Sequence, residues 1–287
     1  MLSQLRKKWL AIKLITRMDK PIGTYLLLWP TYWALWIATD GWPSLHLLVI
    51  FSLGVFVMRS AGCVINDIAD MKIDGNVERT KNRPLVSGLM SKEEAINLFG
   101  LLIGIALGLV LTLSWSTIYL STVALALAAT YPFMKRYTQL PQVVLGAAFS
   151  WGMIMAFSEA QGEVTQIAWL LFTANLLWTV AYDTMYAMVD KNDDVKIGVK
   201  STAILFGEKD KRIVGFLQLL VLGLLFTVGE QLAFGWPFQL SLVIAAGLFA
   251  YQQMLIVNRE RDKCFQAFLH NHWVGMVVFI GIFIEYL

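Results

Sequence analysis

Residues 58 to 85, MRSAGCVINDIADMKIDGNVERTKNRPL, carry oxygen-bearing side chains at a regular interval: Asn66, Asp70 and Asp74 are spaced four apart, with Asp67 beside the first. On a helix, residues four apart share a face, so the three would form a ladder. Carboxylates this close repel one another unless a cation lies between them. Hard oxygens suit Mg²⁺, which takes one or two carboxylates and completes its shell with water and substrate phosphate, so a diphosphate is the natural partner. A second stretch, AYDTMYAMVDKNDDVKIGVKS (181 to 201), repeats the interval with Asp190 and Asp194, and Asp183 stands seven residues earlier on the same helical face. An offset of 120 carries Asp70 to Asp190 and Asp74 to Asp194, which implies an internal repeat with two ladders facing each other across a cavity. The plain alternative, solvated loop acids balanced by nearby Lys and Arg, would explain one such pair. It does not explain two at matching positions with Asp183 at membrane depth, where an acid is costly.

Cationic side chains accompany both ladders: Arg79, Lys81 and Arg83 in the first stretch, Lys191, Lys196 and Lys200 in the second, and Lys135 and Arg136 directly after Tyr131 and Pro132 in TYPFMKRYTQLPQ. Such groups would stabilise charge developing on a departing diphosphate, although each alone also satisfies membrane topology. Arg59 precedes Asn66 by seven residues and lies on the ladder's face about 10 Å deeper. A buried arginine wants a carboxylate, either an internal acid such as Asp183 or that of a small acidic substrate beneath the diphosphate.

The elements that must position these residues are membrane helices. The chain has 287 residues, 57% hydrophobic and 15% charged, against roughly 25% charged in a soluble domain, which excludes disorder and a small disulfide scaffold. Cys63 and Cys264 sit in unrelated contexts and are expected to be unpaired. Apolar stretches long enough to span a bilayer fall at 20 to 38, 44 to 65, 95 to 113, 116 to 134, 141 to 157, 166 to 189, 213 to 234, 238 to 257 and 271 to 287. The intervening segments TDGWPS, SWS, SEAQGEVT and GEQLAFGWP hold no Lys or Arg, and all 23 basic residues lie in the alternate segments or toward that side. About nine spans with a cytoplasmic amino terminus satisfy the positive-inside rule. The first 19 residues are expected to form an interfacial helix, with Leu5, Trp9, Ile12 and Ile15 on one face and Arg6, Lys13 and Arg17 on the other. The fold expected is an all-α integral membrane protein, one polytopic domain over 1 to 287, with Asp-motif loops at 66 to 94 and 190 to 212 on the cytoplasmic side. His270 and His272, at the start of the last span, are read as interfacial polar residues, and no nucleotide loop, haem motif or catalytic triad is present.

With these residues in view, the chain resembles the intramembrane aromatic prenyltransferases of the UbiA superfamily along nearly its whole length. NDIADMKID is similar to that family's first motif, NDxxDxxxD, and DKNDD to its second, DxxxD. Three longer segments, 17 to 36, 131 to 152 and 181 to 207, resemble the bacterial branch whose acceptor is 4-hydroxybenzoate. The resemblance implies nine helices in two related halves around a central cavity. It also implies a cytoplasmic cap, a lateral opening for an isoprenoid tail, a place in the inner membrane and a role in ubiquinone biosynthesis. Carried over by residue, Asn66, Asp70 and Asp74 match the first Mg²⁺ site and Asp190 and Asp194 the second. Arg59, Arg79, Tyr131, Lys135 and Arg136 match positions lining the substrate cavity, with Arg83 added here to the substrate-binding set and Asp67 and Asp183 to a supporting one.

The chemistry that fits is ionisation of a polyprenyl diphosphate and attack of an electron-rich ring on the prenyl C1, with water excluded by the membrane-embedded wall. Asp190 is the candidate base for the phenol or ring proton, although pyrophosphate itself is an alternative. Dihydroxynaphthoate, homogentisate or haem would be the acceptor in sibling enzymes. The rival from another class is a secondary transporter, which also has repeated halves and intramembrane acids, but with sites near the midplane. The expected partners are polyprenyl diphosphate, 4-hydroxybenzoate and membrane lipid, with no nucleic acid.

Overall fold

Backbone groups in hydrocarbon must bond within their own segment, so long apolar runs become helices. The computed structural model describes residues 2–71, 74–76 and 80–287, and these are all-α. The helices are α1 (Leu2–Ile15), α2 (Ile22–Ala38), α3 (Leu45–Asp70), α4 (Lys92–Val110), α5 (Trp115–Tyr137), α6 (Pro141–Gln161), α7 (Gln166–Ile197), α8 (Thr202–Phe206), α9 (Asp210–Gln231), α10 (Trp236–Leu255) and α11 (Arg261–Glu285). Among the described residues, seven are long and apolar enough to cross a membrane: α3, α4, α5, α6, α10, α11, and α8 with α9.

Local chemistry sets several ends. Ser91 and Glu94 form a capping box at the start of α4, satisfying backbone donors that would otherwise be orphaned. Gly198, in the left-handed region at φ 72°, ends α7 as a C-cap that a Cβ would strain. From α2 onward sequential helices pack pairwise, α1 lies against α3, α2 also lies against α6 and α11, and α7 lies against α6, α9 and α11. Trp33, Leu35, Met153, Phe157, Trp178 and Val278 belong to the main core between them. Both cysteines are buried and free, as expected from their contexts.

Three sequence expectations are revised. The first ladder is not one helical face: α3 ends at Asp70, and Asp74 begins a separate 3₁₀ turn, Asp74–Asn76. Two stacked carboxylates, Asp70 and Asp74, would repel, whereas the turn lets Asp74 meet Arg83 at 2.7 Å, with its carbonyl accepting from Thr80 Oγ1 at 2.8 Å. The second ladder is not in a loop. No Gly or Pro interrupts residues 166 to 197, so α7 continues through Asp190 and Asp194 for 32 residues, about 48 Å at 1.5 Å per residue and longer than the ~30 Å hydrocarbon core. The last helix starts at Arg261 rather than 271, which puts His270, Asn271 and His272 inside it. Asn271 is buried there, accepting from Trp178 Nε1 at 2.8 Å and donating to the Ala267 carbonyl at 2.9 Å, a polar tie between α7 and α11. In α1, Ile15 and Ala11 are buried whereas Leu5 and Trp9 face outward, so the apolar side is divided between protein and surroundings.

The α6–α7 contact depends on Gly146. A Cβ there would stand 2.9 Å from the Leu176 carbonyl oxygen, a backbone atom that has no rotamer to yield. Gly146→Val is expected to lower stability by about 1–3 kcal/mol through overpacking, read as an earlier thermal unfolding midpoint of the detergent-solubilised protein.

Candidate functional site

Both ladders open onto one small cavity of about 150 Å³, lined by Asn66, Asp70, Asp74, Asp183, Asp190 and Asp194 together with Arg83, Tyr131, Lys135 and Lys200. Thus α3 and the turn after it face the end of α7. A larger cavity of about 900 Å³ adjoins it, mostly apolar, running from Asp67 and Arg83 past Arg59 and Gly54 to Leu113 beside the α4–α5 turn. Asn66, Arg83, Tyr131, Asp183, Tyr186 and Asp190 border both spaces. The arrangement offers a charged end for a polyanion and an apolar bore for a long hydrocarbon, with six side chains shared between their walls.

The acids are held by cations from distant elements. Lys135 of α5 contacts Asp70 Oδ2, and Arg136 Nη2 donates to the Ala69 carbonyl at 2.6 Å, joining the ends of α5 and α3. Arg83 bridges Asp67 at 3.0 Å and Asp74 at 2.7 Å. Arg17, just beyond α1, donates to both Asp67 oxygens at 2.9 and 3.1 Å. Burial pushes the Asp74 carboxyl above the usual carboxylate range, and the Arg83 charge offsets part of that rise. Lys191 and Lys196 turn elsewhere, to Asp210 at 3.4 Å and Asp193 at 4.0 Å, so they do not line the site. Arg79 lies outside the described residues.

Among the described residues, no three His, Cys, Asp or Glu converge into a metal-binding group on their own. The donor set still fits Mg²⁺, because that ion needs only one or two carboxylates when phosphate and water complete its shell. A specific atom supports the fit: Asp70 Oδ1 is buried with no hydrogen-bond partner among the described residues, a costly state for a carboxylate oxygen lining the acid-rich cavity.

Arg59 lies deeper, on the wall of the large cavity. Its Nη1 donates to Cys63 Sγ at 2.7 Å, while its Nε is buried without a hydrogen-bond partner. Gly23 of α2 is close enough that a Cβ would come within 2.5 Å of the guanidinium, so the absence of a side chain there lets α2 pack over the charge. Tyr131, Tyr182 and Tyr186 lie within electrostatic reach and line the same space. Tyr186 was not among the residues singled out in the sequence, although it is three after Asp183 and four before Asp190, a spacing that places it on their face. Arg17 carries no comparable signal, since its partner is 50 residues away.

The model of the UbiA prenyltransferase family matches residues 27–275. The chain is 79% identical over 287 residues to the 4-hydroxybenzoate octaprenyltransferase of Colwellia psychrerythraea, covering 100% of both chains. It is 61% identical to the protein of the same name from Hahella chejuensis, covering 95% of this chain and 91% of that one. Among solved structures it superposes on a UbiA homolog from Aeropyrum pernix K1 with a TM-score of 0.81 at 25% identity, over 92% of this chain and 98% of that one. A UbiA homolog from Archaeoglobus fulgidus bound to GPP and Mg²⁺ shares the fold, with a TM-score of 0.69 at 16% identity over 96% and 99% of the two chains. On sequence and fold together, this chain belongs to the UbiA prenyltransferase family.

Proposed function

We propose that this chain transfers the polyprenyl group of a polyprenyl diphosphate to the ring carbon ortho to the hydroxyl of 4-hydroxybenzoate, releasing pyrophosphate, as a Mg²⁺-dependent step of ubiquinone biosynthesis. The observation that carries this reading is the meeting of the acid-lined cavity with the long apolar one at Asn66, Arg83, Tyr131, Asp183, Tyr186 and Asp190. The acceptor is chosen on likeness to the Colwellia protein, whose name states it.

In this reading α2 and α7 add two crossings to the seven long apolar helices, giving nine around the large cavity in two related halves, with α3 and α7 as the corresponding ladder-bearing helices. The distribution of basic residues supports an amino terminus and charged site on the cytoplasmic side of a bacterial inner membrane, with α1 lying on the headgroups through Leu5 and Trp9.

Asn66, Asp70 and Asp74 from one side, and Asp190 and Asp194 from the other, would hold Mg²⁺. When bound, the ion neutralises the diphosphate and makes it a leaving group. Lys135, Arg136, Arg79 and Arg83 take up the outward phosphate oxygens and the charge that grows as the C1–O bond breaks. The apolar wall from Met58 to Leu113 receives the tail and keeps water from the allylic cation. Arg59 pairs with the carboxylate of 4-hydroxybenzoate and so presents its ring to C1. The ring carbon forms the new C–C bond, pyrophosphate departs with the electron pair, and the ring proton passes to Asp190, with Asp67 and Asp183 holding their neighbours in place.

Membranes containing the protein, given 4-hydroxybenzoate and radiolabelled polyprenyl diphosphate, are expected to form prenylated product with Mg²⁺ and none with EDTA. Product from dihydroxynaphthoate or homogentisate, with none from 4-hydroxybenzoate, would overturn the acceptor assignment, and no product from any aromatic acceptor would overturn the reaction.

A further inference from the structure

Behind the second ladder, outside both cavities, lies a buried charge cluster that the chemistry above does not use. Asp210, the first residue of α9, is 0% exposed. Arg259, in the turn between α10 and α11, reaches it with Nε at 3.1 and 3.0 Å to the two oxygens and with Nη2 at 2.8 Å to Oδ1. The Lys211 amide donates to Oδ1 at 2.7 Å, and Lys191 Nζ approaches Oδ2 at 3.4 Å while also donating to the Gly207 carbonyl at 3.2 Å. Arg259 Nη2 further donates to the Glu208 carbonyl at 2.9 Å.

Two more facts connect this cluster to the site. Arg259 adopts φ 55°, a conformation that residues with a Cβ rarely take unless the surroundings over-determine it. From the same region of chain, Arg261 Nη2 donates to Asp193 Oδ2 at 2.9 Å. Lys191 and Asp193 lie between Asp190 and Asp194, so the segment carrying the ladder is tied through Lys191 to Asp210 at the start of α9, which Arg259 clamps, and through Asp193 to Arg261 at the start of α11. This stretch of α7 is the end of a helix, where backbone carbonyls lose their partners and the last turn frays unless something holds it. The first ladder is held by cations that touch its own carboxylates. Beside the second, the neighbours Lys191 and Asp193 carry ties of their own.

We propose that Asp210 and Arg259, acting through Lys191 and seconded by Arg261 on Asp193, are positioning residues that hold the end of α7 so that Asp190 and Asp194 face Asp70 across the small cavity. The inference rests on the reading that Asp190 and Asp194 hold Mg²⁺. Asp210→Asn keeps the shape of the side chain and removes its charge, freeing Lys191 and weakening the bidentate pair.

The test uses purified full-length protein in detergent and three readouts: Mn²⁺ binding by electron paramagnetic resonance, the Mg²⁺ concentration for half-maximal turnover, and the thermal midpoint. Asp210→Asn is expected to raise the Mg²⁺ requirement and the Mn²⁺ dissociation constant by about 10- to 100-fold, the range seen when a group supporting a metal ligand is lost, with KM for 4-hydroxybenzoate nearly unchanged. Arg259→Lys retains the charge without the planar fork and should fall between. Lys191→Met removes a single tie and carries the same readout should Asp210→Asn fail to fold. Glu285→Gln is the control: Glu285 accepts from the Gly235 and Phe238 amides at 2.8 and 3.0 Å at the start of α10, far along the chain from either ladder. It should lower the thermal midpoint without moving the Mg²⁺ requirement. A normal Mg²⁺ requirement in folded Asp210→Asn or Lys191→Met, or an equal shift in Glu285→Gln, would overturn the proposal. Wild-type protein that neither binds Mn²⁺ nor needs Mg²⁺ would instead overturn the functional reading beneath it.

Discussion

Asp70→Asn protein is expected to fold and to lose Mg²⁺-supported prenyl transfer. Asp70 is 2% exposed, so the substitution is nearly isosteric in a packed position and changes mainly charge. In the native chain one carboxylate oxygen meets Lys135 and the other is buried without a partner. The amide keeps an acceptor for Lys135 but gives Mg²⁺ a neutral, weaker donor at the point where the two ladders face. The fall in turnover should exceed the roughly 10- to 100-fold that follows loss of a group merely supporting a ligand. Titrating Mg²⁺ to high concentration, with Mn²⁺ binding measured in parallel, separates lost affinity from lost chemistry. Wild-type turnover and wild-type metal dependence in this variant would remove Asp70 from the metal site.

The second large effect is expected at Arg59. Its Nε has no hydrogen-bond partner among the described residues, and the guanidinium stands on the cavity wall among tyrosines, which makes it the cation best placed for an acceptor carboxylate. Removing one member of a buried charge pair costs about 2–5 kcal/mol, so kcat/KM for 4-hydroxybenzoate should fall by roughly 30-fold to a few thousand-fold in Arg59→Met. KM for the prenyl diphosphate should stay near its wild-type value, since its diphosphate is held at the small cavity, which Arg59 does not line, and its tail is held by apolar contacts. Methyl 4-hydroxybenzoate sharpens the experiment: the wild type should prefer the free acid, and the variant should lose that preference. A preference for the acid that survives in Arg59→Met would mean that the guanidinium serves the protein and not the acceptor.

The ladders and the helices were legible in the sequence for the same reason. An α-helix repeats every 3.6 residues and a bilayer demands a long apolar run, so the interval of Asp190 and Asp194 reveals that they act as a pair, and the stretch 44 to 65 its helix, from neighbours alone. The matching four-residue intervals pointed to two acid pairs acting together, and the small cavity does bring Asp70, Asp74, Asp190 and Asp194 together. The family was legible too, because its motifs are contiguous.

What the spacing alone misplaced were the points at which a local pattern is overruled by a distant partner. Asp74 keeps the interval of a helix, yet Arg83 and Thr80 draw it into a separate turn. Residues 190 to 197 are charged enough to read as a loop, yet Arg261 pairs with Asp193 and Lys191 with Asp210, and the helix continues. Lys191 looked like a phosphate ligand by proximity in sequence and points elsewhere. Arg17 with Asp67, Lys135 with Asp70, and Arg259 with Asp210 join residues 50, 65 and 49 positions apart. Helix formation and membrane insertion are decided within a segment, by backbone hydrogen bonding and transfer of apolar surface, and so the sequence by itself determined the helices, the motifs and the family. Which cation neutralises which carboxylate depends on which helix ends meet, and only the tertiary packing decided that.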